Sequence, residues 1–175
     1  MNVRRRILVA IGIPLGMALT VITAGLLGVR FNLATDSLPY GLYRIVPAGK
    51  GNDLLVCPTG IAESVTVARG YRPKSLGCGD GYAPLLKPIA ARAGDTVSIS
   101  DRGISVNGKL LPNTKQFPAD GHGRPLPVMP HRTYTVESNT VWLVSTYNRY
   151  SFDSRYFGPV SLNGKVRYAT PLWLF

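Results

Sequence analysis

The chain has 175 residues, 45% hydrophobic and 17% charged, with a formal net charge of +11. This composition excludes intrinsic disorder and suits one ordinary domain plus one membrane segment, and 19 Gly and 14 Pro favour a turn-rich β architecture over a helical one. Arg4, Arg5, Arg6 and Arg30 flank one apolar run, and the other sixteen basic residues stand singly against nine acidic ones, so the footprint of a nucleic-acid binder is missing and the surplus suits an anionic membrane surface or an acidic partner.

Residues 1–6 read as a short cytoplasmic tail. From Ile7 to Val29 the chain carries no charge. At 1.5 Å per residue, such a helix crosses a hydrocarbon core of about 30 Å, and Pro14 would kink it tolerably. The Arg triplet stays inside, so residues 30–175 lie outside the cytoplasm. A cleaved secretory signal is the alternative, but this apolar run is longer than such signals use and no A-x-A site precedes residue 31. The expectation is therefore a single-pass protein of a bacterial inner membrane, with its domain in the periplasm.

Next comes Thr35-Asp-Ser-Leu-Pro-Tyr-Gly-Leu-Tyr43, close to the membrane, with Pro39 and Gly41 holding Ser37 in a turn. Taken alone, a hydroxyl in such a turn ordinarily serves the turn. Residues 53–57, 64–68, 96–100 and 140–145 read as short strands, and Val97 and Ile99 alternate with polar neighbours as a half-buried strand does. Cys57 and Cys78 form an even pair outside the cytoplasm, where a disulfide persists; two unpaired buried thiols are the alternative.

Lys87 is the only Lys in the apolar stretch Ala83–Ala91. Acting as a base near neutrality requires its pKa to fall from about 10.4 toward 7, roughly 4 kcal/mol of desolvation. Leu85, Leu86, Pro88 and Ile89 could supply that wall; the other reading is a stem along the core with an ammonium reaching water. The Asn107-Gly108 pair inside Ile104–Leu111 predicts a hairpin. Residues 112–132, rich in Pro and Gly, read as a long surface loop, and His122 and His131 lack ligand spacing for a metal. The last cluster, Tyr147–Val160, offers Ser151, Asp153 and Arg155; on one strand face Asp153 and Arg155 would pair. A His-based triad has no support, and Ser–Lys is the established alternative for activating a Ser hydroxyl.

These three clusters, in this order behind an anchor, resemble the signal peptidase I family, and within it the conjugative-transfer TraF branch of pilin-processing peptidases. The segments carrying the resemblance are Ser37-Leu-Pro-Tyr-Gly-Leu-Tyr43, Tyr82–Asp95 and Ser151–Val160. It implies a mainly β, coiled antiparallel sheet domain, Ser37 as nucleophile and Lys87 as base. It also implies an oxyanion hole from Thr35 and the Ser37 N–H. Ser151 would orient the lysine, with Asp153 and Arg155 in support. Arg92, Gly94 and Asp95 would form the turn after the lysine strand, and Gly158 the end of the last motif. No cofactor is implied. The implied substrate is a membrane-bound propilin or preprotein, cleaved or cyclised head to tail beside a conjugation or type IV secretion apparatus. Two departures from housekeeping enzymes favour the specialised branch. Ser145-Thr-Tyr147 stands where those enzymes read G-D-N, and the residues after Ser37 lack their Met-rich pattern. The rivals are a general signal peptidase and a noncatalytic β scaffold.

Overall fold

The computed structural model describes residues 3–33 and 36–175, with side chains in the first helix from residue 10 onward. The elements in chain order are α1 (Val3–Leu26), β1 (Val29–Asn32), β2 (Gly41–Val46), β3 (Asp53–Val56), α2 (Gly60–Ala68), β4 (Leu85–Arg92), β5 (Thr96–Ser100), β6 (Gly103–Val106), β7 (Lys109–Leu110), β8 (Thr133–Thr135), β9 (Thr140–Leu143), α3 (Ser154–Phe157), β10 (Val160–Ser161) and β11 (Val166–Leu174).

Helix α1 is unbroken through Pro14 and ends three residues before the apolar run does. Gly28, at φ +82°, reverses the chain, and its N–H bonds the Gly25 carbonyl. Arg30 Nη1 donates to the same carbonyl at 2.8 Å, a basic cap on a helix C-terminus. The expected span to Val29 is thereby shortened, because Val29 already belongs to β1. Among the described residues no helix is long and apolar enough to cross a membrane. The described part of α1 has Ile11, Ile13, Leu15, Met17, Leu19 and Ile22 exposed, with no apolar face turned toward the domain.

The remaining chain is mainly antiparallel sheet. Seven strands run in the order β1-β2-β11-β3-β4-β9-β10, and four more in the order β7-β6-β5-β8. Between them lies a core of Ala91, Val97, Ile99, Ile104, Val136, Trp142 and Val144. A second cluster, with Leu54, Val56, Leu85, Val141, Leu143 and Tyr168, lies along the larger sheet. The Asn107-Gly108 turn joins β6 to β7 with both residues at positive φ, 50° and 81°, as a type I′ hairpin demands. Residues 112–132 hold no strand, only an isolated bridge between Ala119 and Pro125.

One expected strand is a helix. Val65 and Val67 alternate with polar residues in Ser64–Ala68, yet the segment forms α2, with Ala62 and Thr66 buried on one face. Their spacing of four outweighs β-branched propensity once that face meets the core. Cys57 and Cys78 form a disulfide, 21 residues apart, that closes the α2 loop beside β4. Closing a loop of this length stabilises by about 3 kcal/mol in the chain-entropy picture. Replacing both cysteines with Ser should therefore lower the Tm by about 10 °C, read by thermal unfolding of the oxidised protein.

Candidate functional site

Ser37 lies in the turn between β1 and β2, and the turn is pinned from both strands. Asn32 Nδ2 of β1 donates to the Leu38 and Pro39 carbonyls at 3.2 and 3.0 Å, and Tyr43 Oη of β2 donates to the Pro39 carbonyl at 2.9 Å. Gly41 opens β2 where a Cβ would stand 2.3 Å from the Trp173 carbonyl, so that position admits no side chain. Ser37 itself is buried, with 6% of its surface exposed.

Lys87 comes from the centre of the sheet. On β4 it faces Leu54 of β3, and it shares its strand face with Leu85. It is 4% exposed, and burial pushes its amine down from 10.5 to about 8; Asp153 opposes the shift and Arg155 adds to it. Lys87 Nζ hydrogen-bonds Ser37 Oγ and donates to Ser151 Oγ at 2.9 Å, while the two hydroxyls stand 3.2 Å apart. A Lys held near neutrality against a Ser hydroxyl is a nucleophile–base geometry.

Behind the amine lies a buried ion pair. Arg155 Nε and Nη2 grip both Asp153 oxygens at 2.8 and 2.9 Å, and neither residue is exposed. The expectation of one strand face is corrected: Asp153 is the N-cap of α3, accepting from the Arg155 N–H, and Arg155 lies in the first turn. The short helix brings the two side chains together more closely than strand spacing would. Arg155 also donates to the carbonyls of Ser151, Asn113, Lys115 and Arg149, which ties the 112–132 loop to the segment bearing Ser151. Gly158 ends the motif at φ +79°. Gly94 turns the chain after β4 at φ +88°, Asp95 Oδ2 accepts from the Arg92 N–H at 2.7 Å, and Arg92 Nη2 donates to the Gly51 carbonyl. Thr35 lies outside the described residues.

Ser145 acts in a way that reading the sequence missed. Its Oγ donates to the Ser37 carbonyl at 2.6 Å and accepts from the Tyr147 and Asn148 N–H groups, while its N–H donates to Asp153 Oδ2. The only signal for it was its position in the departure from G-D-N. Ser145→Ala leaves the buried Ser37 carbonyl without this donor; if Ser37 is the nucleophile the sequence resemblance implies, kcat should fall about tenfold with KM little changed, alongside a stability loss of about 2 kcal/mol. Steady-state kinetics with thermal unfolding reads both.

In front of the Ser–Lys pair lies a cavity of about 450 Å3, walled by Leu85, Tyr71, Phe117, Leu126, Phe152 and Tyr156 among others. Asp120 fastens its roof: it accepts from Tyr71 Oη, Arg69 and Arg124, and from the His122 and Arg124 N–H groups, so its carboxyl lies well below the usual carboxylate range, the hydrogen bonds overcoming its desolvation.

The family model for signal peptidase, peptidase S26, matches residues 3–173. Two plasmid transfer proteins TraF of Escherichia coli are similar: one is 38% identical, covering 83% of this chain and 84% of its own length, the other 37%, covering 91% and 93%. A conjugal transfer protein TraF of Agrobacterium tumefaciens (strain 15955) is 36% identical over 85% of this chain and 84% of its own. With the family model spanning nearly the whole chain and these relatives aligned along most of it, the protein belongs to the S26 signal peptidase family.

Proposed function

We propose that this protein is a membrane-anchored serine endopeptidase that matures a conjugative propilin through an acyl-enzyme. The observation that carries the reading is the buried Lys87 amine hydrogen-bonded to both Ser37 and Ser151. Lys87 takes the Ser37 proton as Oγ attacks the scissile carbonyl, and then returns it to the departing amine. Ser151 accepts one amine N–H and so directs the lone pair at Ser37. Thr35 and the Ser37 backbone N–H are the proposed donors to the oxyanion, in a role typically worth about 3 kcal/mol per donor. Water resolves the ester to a trimmed pilin; the pilin's own amino terminus resolves it to a cyclic one. The TraF names of the relatives support the conjugative context.

We also propose that the apolar run of α1, residues 7–26, anchors the chain in the bacterial inner membrane, with residues 1–6 cytoplasmic and the domain from β1 onward periplasmic. The disulfide supports an oxidising compartment. Phe31 and Trp173 both pair with Leu42, so the three form one row across β1, β2 and β11; Phe31 and Trp173 are exposed. Leu172, Leu174 and Phe175 extend this apolar surface. Aromatic residues on such an edge suit a bilayer interface, and the Ser37 turn lies between β1 and β2.

The test is co-expression of the full chain with a propilin encoded beside it, followed by mass spectrometry of the pilin. The wild type should trim it and Ser37→Ala should not; trimming by Ser37→Ala would overturn the reading. A product lacking one water relative to the linear form identifies cyclisation.

A further inference from the structure

A second cavity of about 460 Å3 adjoins the first, and the two share Asp36, Asn148 and Tyr150 as walls. The first holds Ser37, Lys87 and Ser151; the second holds none of these. A peptide crossing Ser37 therefore has two recesses to occupy, meeting at the residue next to the nucleophile.

The wall between them is built rather than incidental. Asn148 receives the Tyr150 N–H on its side-chain oxygen at 2.8 Å, and its own N–H is held by Ser145 Oγ. Asn113 Nδ2 secures the neighbouring Thr146 carbonyl at 3.0 Å. Asp36 Oδ1 accepts from Tyr40 Oη, which keeps that phenol protonated and raises its pKa. Asp36 is the second cavity's one carboxylate among the described residues; its one cation, Arg149, is stacked over the Phe117 and Tyr150 rings at 5.1 and 5.2 Å.

Acylation of Ser37 releases a peptide α-amine, and aminolysis brings one back. By microscopic reversibility both pass through one position on the side of the ester away from the acyl group. An amine presents N–H donors, and an ionised carboxylate accepts only. We propose that the second cavity is an α-amine subsite, with Asp36 accepting N–H bonds from the departing amine and from the amine that resolves the acyl-enzyme. This rests on the acyl-enzyme reading above. In the resolving step the amine nitrogen bonds the acyl carbon and the carbon–Oγ bond breaks. The proton lost by nitrogen passes through Lys87 to Ser37 Oγ, so no further reactant is needed. Asp36 therefore favours both steps that pass an amine, acylation and aminolysis, over hydrolysis of the ester, which passes none.

The experiment uses the full chain in detergent with the same propilin, glycinamide as a soluble amine, and mass spectrometry of the released fragment and of each acyl product. In the wild type, the amide-to-acid ratio should saturate with glycinamide. Asp36→Ala should slow release of the fragment, and its amide-to-acid ratio should fall about tenfold and no longer saturate. Asp36→Glu should restore saturation. An unchanged ratio in Asp36→Ala, or one that still saturates with glycinamide, overturns the amine subsite alone. Absence of any fragment from the wild type overturns the peptidase reading and this one with it.

Discussion

Lys87→Met is expected to abolish cleavage at every pH and, in the same protein, to stabilise the fold near neutrality. Both effects come from one buried amine. Burial lowers its pKa from 10.5 to about 8, and the sign of the linkage follows. Below pH 8 the lysine is protonated in both states, and the folded state carries the full cost of an enclosed ammonium. Between pH 8 and 10.5 the folded state has released the proton while the unfolded state holds it, so stability rises with pH; above 10.5 that cost is gone. Met removes the cost at pH 7, a gain of about 3 kcal/mol. Denaturant titration at pH 7 and pH 10 should show the difference between wild type and variant shrinking at the higher pH. For the wild type, kcat/KM should climb toward a plateau as pH passes 8, because only the neutral amine accepts the Ser37 proton. Cleavage by Lys87→Met, or wild-type activity falling as pH rises through 8, would sink the assignment of Lys87 as base. Activity held at a cost in stability is the usual mark of a site tuned for chemistry.

Much of this was legible because local patterns and tertiary needs agree. Asn107-Gly108 is a strong hairpin signal and forms one, and Lys87 inside Ala83–Ala91 lies buried on β4, one of the two readings its sequence left open. The reading of Ser64–Ala68 failed because alternating valines look like a strand, whereas two small or polar residues four apart, Ala62 and Thr66, set the buried helix face. Asp153 and Arg155 pair as expected, but from a helix cap; a four-residue helix is too short to leave a period in the sequence. The role of Ser145 showed in the sequence only as a departure from G-D-N. Its partner is the carbonyl of Ser37, and a backbone group carries no sequence signal. Asp120 is similar: five donors converge on it from the segment just after α2 and from the 119–125 turn, and no spacing of residues announces that convergence.

Asp153→Ala is the second substitution with a large expected effect, and its two consequences separate structure from electrostatics. Asp153 accepts two guanidinium hydrogen bonds from Arg155 and one from the Ser145 N–H in a place with no exposure. Removing the carboxylate leaves a buried guanidinium without its counter-charge, which costs about 3–5 kcal/mol, enough to leave little folded protein. Asp153→Asn keeps the shape and one acceptor oxygen but turns its amide N–H groups toward two donors, so it should fold at lower stability. In that variant the electrostatic consequence can be read. The Asp153 charge raises the Lys87 pKa and the Arg155 charge lowers it. Neutralising Asp153 should therefore move the rising limb of kcat/KM to lower pH, and Arg155→Gln should move it to higher pH. The pair also shares one set of hydrogen bonds, so the double variant should cost less stability than the two single costs added together. A limb that moves upward in Asp153→Asn would mean that the carboxylate reaches Lys87 through Ser145 and Ser151 geometry instead of through its charge.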